Sequence, residues 1–221
     1  MKNLLRDNSL SLVLLGLFLI SLIGHMFSGL AVENQQRSEH GQTLISLLDF
    51  MRGGQFLSTL FENWESEFLQ MWAYVTLTAF LFQRGSPESK DPERENPQDR
   101  DPAKDADKAD APWPVRAGGF VRALYSQSLG LAMLTLFLVS FALHLLNSAR
   151  LAAEEAQQHG QAPPSVLEHL WGPEFWFESF QNWQSEFLAT AVLVVIAIVL
   201  RQRGSPESKP VAAPHGQTGN S

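Results

Sequence analysis

Two histidines and two glutamates recur at one fixed spacing, in surroundings where an ionisable side chain is costly. His25 and His144 are 119 residues apart, and so are Glu67 and Glu186. Asn63 lies four residues before Glu67 and therefore shares its helical face; Asn182 stands in the same relation to Glu186. Ser21 and Ser140 precede the two histidines by one helical turn in the same way. A histidine at the depth of a carboxylate can hold or pass a proton, or can bond neighbouring helices together. A ligand set for a divalent ion was weighed and is not assigned, because histidines near helix ends have many uses without one. The candidate intramembrane polar site is thus His25, Glu67, His144, Glu186, Asn63, Asn182, Ser21 and Ser140. There is no nucleophile elbow, phosphate-binding loop or HExxH helix in the chain. No catalytic residue, metal or cofactor is expected, and the chain is not read as an enzyme.

The elements that must position these groups are apolar runs. Leu10–Val32 contains no Asp, Glu, Lys or Arg, and His25 is its one ionisable side chain. At about 1.5 Å per residue such a run crosses a hydrocarbon core of about 30 Å. Leu129–Leu146 resembles it. Phe68–Phe82 and Phe187–Leu200 are shorter, and reach spanning length when the polar residues before them join the same helix, which gives helices expected from Gln55 to Arg84 and from Pro173 to Arg201. Measured back from Arg84, Glu67 then falls in the outer part of the bilayer, at the depth of His25. A cleaved signal peptide is the rival reading of the first run. The third run argues against it, having the same layout in mid-chain.

The spacing of 119 pairs the two halves without a gap. Gln83-Arg-Gly-Ser-Pro-Glu-Ser-Lys90 recurs letter for letter as Gln202–Lys209, and Phe61-Glu-Asn-Trp-Glu-Ser-Glu-Phe-Leu69 recurs as Phe180-Gln-Asn-Trp-Gln-Ser-Glu-Phe-Leu188. His40-Gly41-Gln42 matches His159-Gly160-Gln161. Each unit holds two spans, so both copies enter the membrane from one side, as a parallel repeat. The chain divides into a first two-helix unit (1–84), a charged linker (85–118), a second unit (119–203) and a tail (204–221). The linker is rich in Pro and charge, and both it and the tail are expected to be disordered.

Basic residues set the orientation. Thirteen of the 16 Lys and Arg lie before the first span, between the second and third, or after the fourth; Arg37, Arg52 and Arg150 lie opposite. Both termini and the linker are therefore expected in the cytoplasm. Leu44, Ile45, Leu47, Leu48 and Met51, with Val166, Leu167, Leu170 and Trp171, have the spacing of short amphipathic helices at the outer interface. The chain has no cysteine, which removes disulfides and thiolate metal sites, and its net charge of −7 argues against a nucleic-acid partner.

The strings Asn-Trp-x-Ser-Glu-Phe-Leu and Arg-Gly-Ser-Pro-Glu-Ser-Lys resemble those of an uncharacterised family, a domain of unknown function of small bacterial integral membrane proteins. The resemblance covers both halves and implies a bacterial inner membrane, without an activity to carry over. The expected fold is all-α: a polytopic membrane protein of four transmembrane helices in two tandem repeats, with short interfacial helices. The expected function is that of a structural or interaction component of that membrane, with the lipid bilayer as partner and a homo-oligomer open to it. The alternative is a small transporter or proton- or ion-conducting protein using the His/Glu cluster, its ligand unidentified.

Overall fold

The computed structural model describes residues 2–219, so the last two residues of the tail lie outside it. The described residues are helical and contain no strand. In order, the α-helices are α1 (Lys2–Asp7), α2 (Ser9–Glu39), α3 (Leu47–Arg52), α4 (Gly54–Leu77), α5 (Trp113–Ala117), α6 (Gly119–Ser126), α7 (Ser128–Gln158), α8 (Val166–Leu170) and α9 (Pro173–Ile196). Two short 3-10 turns, Pro97–Asp99 and Pro102–Asp105, occupy the linker.

Helices α2 and α7, at 31 residues each, are long and apolar enough to cross a membrane. They outrun their apolar segments, and both stop at the repeated His-Gly-Gln. Gly41 and Gly160 take φ of +67° and +68°, a left-handed conformation that suits glycine. The Gln42 N–H donates to the Arg37 carbonyl and the Gln161 N–H to the Ala156 carbonyl, both at 2.8 Å. Ring Nδ1 of His40 lies 2.8 Å from the Gln36 carbonyl, and that of His159 lies 2.9 Å from the Glu155 carbonyl. These histidines serve helix termination.

The short helices α3 and α8 fall where amphipathic spacing put them. Each opens on a reciprocal cap. The Asp49 N–H donates to Ser46 Oγ at 3.3 Å while Ser46 Oγ donates to the Asp49 carboxylate at 2.6 Å. In the second copy the Ser165 N–H donates to Glu168 at 2.7 Å and the Glu168 N–H to Ser165 Oγ at 3.2 Å. Those bonds hold the Glu168 carboxyl below the usual carboxylate range.

Helix α4 starts at Gly54, where a Cβ would make tight contacts, 3.2 Å from the Asn147 carbonyl oxygen and 3.3 Å from the Leu151 nitrogen. Its counterpart α9 starts on Pro173 in the first turn, where a missing N–H costs nothing. Both helices were expected to run on to Arg84 and Arg201. They end earlier, at Leu77 and Ile196. The backbone there tightens into three-residue turns, with Phe80 N–H bonding the Leu77 carbonyl and Val199 N–H the Ile196 carbonyl, and this feeds the chain into the Gln-Arg-Gly-Ser turn. At 24 residues each helix is still about 36 Å long.

The chain packs as two compact units: Met1–Leu60 with Leu143–His169, and Phe61–Ala142 with Leu170–Ser221. Each takes segments from both copies of the repeat, so packing does not follow the repeat boundary.

Candidate functional site

In the unit built from Phe61–Ala142 and Leu170–Ser221, α4 and α9 meet along a seam of polar side chains. Asn182 Nδ2 donates to Glu62 Oε1. Trp183 Nε1 donates to Glu65 Oε1 at 2.9 Å, and Gln70 Nε2 to Thr190 Oγ1 at 2.7 Å. The partners ascend together in number along both helices, so α4 and α9 run parallel. Glu65 is fully buried. Around Trp183 pack the rings of Phe137, Trp176 and Phe180, with centroids 5.4–6.3 Å away.

Of the residues singled out from the sequence, Asn182 takes part in this seam. Glu67 and Glu186 are electrostatic neighbours, Glu67 exposed and Glu186 half-buried. Asn63 is exposed and Ser140 buried. Glu62, Glu65, Gln70 and Thr190 were not anticipated. Their signal lies where the copies differ: Glu62 and Glu65 face Gln181 and Gln184 in the repeat. Searching for residues that recur passed over the pairs that alternate.

The other unit places the histidines. His25 is half-buried, its Nε2 3.3 Å from Thr59 Oγ1 and its ring 5.1 Å from that of Phe56. His144 is fully buried, while Ser21 is exposed. Ser28, next on the His25 face, donates to the Gly24 carbonyl at 2.7 Å. Lower on this helix face the two copies solve one contact in two ways. In the first, Gly29 leaves room for the Phe50 ring, which a Cβ would approach to 2.7 Å. In the second, the matching residues Ser148 and His169, both buried, share a hydrogen bond of 2.8 Å.

The repeated Gln-Arg-Gly-Ser-Pro-Glu-Ser-Lys string forms the same small turn twice, in the unit that holds the seam. Gly85 and Gly204 adopt φ of +85° and +86°. The N–H of Gln83 donates to Ser89 Oγ at 2.8 Å and that of Gln202 to Ser208 Oγ at 2.9 Å. Glu88 and Glu207 N–H groups donate to Ser86 and Ser205 Oγ, each at 3.2 Å. The tail closes over the first copy. Lys209, 1% exposed, donates to the carbonyls of Gly85, His215 and Gln217 at 2.6, 2.7 and 3.0 Å. Burial, with Arg201 nearby, pulls its ammonium below the usual lysine range. Gly85 N–H donates to Thr218 Oγ1 at 2.8 Å, and Gly219 N–H to the Ser86 carbonyl at 3.0 Å. These stretches of linker and tail are bonded to one another largely through main-chain groups, which composition alone does not reveal. Among the described residues no cluster of three or more His, Asp or Glu could hold a metal ion.

A family model described as a domain of unknown function, DUF6766, matches residues 1–220. The chain belongs to this family. The match takes in linker and tail as well as both repeats, so the family is defined over the clasped motif and the helices together. No curated protein and no solved structure matches the chain.

Proposed function

We propose that the chain is a four-span protein of the bacterial inner membrane, with a structural or interaction role and both termini in the cytoplasm. One observation carries this: burial is inverted. Among the described residues twelve polar or charged side chains are buried against six hydrophobic ones. Large apolar side chains are meanwhile exposed along α2, α7 and α9, among them Leu14, Phe18, Leu138, Leu188, Val192 and Val195. In water this distribution is unfavourable; in lipid it is the stable one. Helices α4 and α9 fit as second and fourth spans because their carboxylates and amides turn towards each other, which relieves the cost of placing them in hydrocarbon. Their parallel course is what two copies entering from the same side require. Nothing in the seam resembles a nucleophile with its base, which favours a non-enzymatic role.

The test is extraction and topology together. The protein should stay with membranes under alkaline carbonate. Reporters after Lys209 should be active in the cytoplasm, and reporters near His40 or His159 on the outer side. A soluble protein, or the reverse labelling, overturns the reading.

The nearness of Glu67 to Glu186 favours one alternative, a proton- or cation-conducting path. Purified protein in liposomes should then show pH-dependent flux that the E67Q/E186Q double variant loses. Equal flux from variant and parent removes it.

A further inference from the structure

Where α4 and α9 face each other, Glu62 and Glu65 accept from Asn182 and Trp183. Glu62 has Gln181 as its repeat counterpart, and Glu65 has Gln184. Below the seam, the identical motifs break that pattern: Glu88 and Glu207 are counterparts and both are glutamate. They also meet. Lys209, two residues after Glu207, donates at 2.6 Å to the carbonyl of Gly85, three residues before Glu88, and this bond holds the two motifs together so that each carboxyl lies in the other's field. Glu88 Oε2 accepts the Tyr74 hydroxyl at 2.7 Å, whereas Glu88 Oε1 is buried with no hydrogen-bond partner. The titratable groups that face Glu88 are Tyr74 from α4 and Glu207 from the second motif. Among the described residues neither Glu88 nor Glu207 is in an ion pair. Lys209 donates to the carbonyls of Gly85, His215 and Gln217, and Arg201 donates through its terminal nitrogens to those of Ile198, Leu200 and Ala213, its Nε being buried without a partner. Lys90 binds Asp99 and the Ala79 carbonyl, and Arg84 binds Glu93. Two neighbouring carboxylates, neither held in an ion pair, cannot both stay ionised cheaply.

We propose that Glu88 and Glu207 form a proton-binding site, holding one proton between them and making the junction of the two motifs sensitive to pH. The proton comes from water. On Glu88 Oε1, the oxygen that lacks a partner, it makes an O–H that can donate to the Glu207 carboxylate. When it leaves to water, two carboxylates remain and repel. Burial first, then the Glu207 charge, pushes the Glu88 carboxyl above its ordinary range, although the Tyr74 hydroxyl opposes this. A group whose pKa is raised on folding binds more protons in the folded state. Its contribution is therefore whole below the ordinary carboxylate range and is lost as pH rises through the raised value. The motif junction, with the Lys209 clasp beside it, should loosen over that interval.

The experiment uses the full chain in lipid nanodiscs, with the proton as probe. Infrared titration should show a protonated carboxyl band persisting above the ordinary glutamate range, and E88Q and E207Q should each remove it. Thermal stability of the parent should fall with rising pH across the same interval. In E207Q, whose amide supplies a donor at every pH, that fall should vanish. If E207Q fails to fold, E88Q gives the same reading. A band that survives both substitutions places the proton elsewhere and overturns the proposal. So does an unchanged pH dependence in the variants, or stabilisation of the parent by calcium in place of the proton.

Discussion

At the scale of single residues, the two copies act as each other's controls. Gly29 and Phe50 fill the place that Ser148 and His169 fill in the second copy. Adding a methyl at Gly29 forces the Phe50 ring to move, and overpacking of this kind costs about 1–3 kcal/mol. Gly29→Ala should therefore lower the thermal midpoint in detergent. The pair Gly29→Ser with Phe50→His, which copies the second solution, should recover most of the loss. Failure of the pair to recover would show that the two contacts are not interchangeable. Glu65 supports a second prediction. It is fully buried and accepts the Trp183 indole N–H. Glu65→Gln keeps an acceptor and should fold with near-parent stability. Glu65→Leu strands the indole donor and should cost about 1–3 kcal/mol. Chemical denaturation followed by tryptophan fluorescence measures both.

At the scale of elements, repeated caps define the helix ends. Ser165→Ala should destabilise α8 by about 1 kcal/mol, and Ser46→Ala should do the same to α3, each read as faster amide exchange in the following turn. Equal exchange in parent and variant would mean that lipid contact, and not the cap, holds these helices. Much at this scale is legible in the sequence. Long apolar runs give α2 and α7, amphipathic spacing gives α3 and α8, and glycine at Gly41 and Gly160 gives the stops. The ends of α4 and α9 were not legible, because Leu77 and Ile196 are followed by residues as apolar as those before them. Nothing local marks the change; it is set by the motif turn farther on. The candidate site was legible in part. Recurrence picked out Asn182 and the neighbours Glu67 and Glu186, but it hid the Glu–Gln positions at which the helices join. Composition likewise concealed the clasp, since the Lys209 interactions run to main-chain carbonyls that every sequence possesses.

At the scale of the whole molecule, the linker connects the two copies of the repeat and lies within one packed unit. Its pairs Lys108 with Asp105 and Arg84 with Glu93 are largely exposed, and pairs of that kind contribute little; Lys90, more buried, holds the Ala79 carbonyl as well as Asp99. Deleting residues 92–111 should leave a monodisperse, helical protein with a thermal midpoint close to the parent's. A deletion that also removes 85–90 should not, because it takes away Gly85 and Ser86, to which the tail is bonded. Size-exclusion chromatography with thermal scanning separates the two outcomes. Equal damage from both would mean that the linker carries structure of its own.

The Glu–Gln alternation along α4 and α9 also bears on symmetry. Glu62 and Glu65 have Gln181 and Gln184 as counterparts, so α4 carries two carboxylates that α9 lacks. A pair of identical two-helix chains would have to present both carboxylates twice. One chain that holds both halves presents them once. The halves are in that sense a heterodimer on one string.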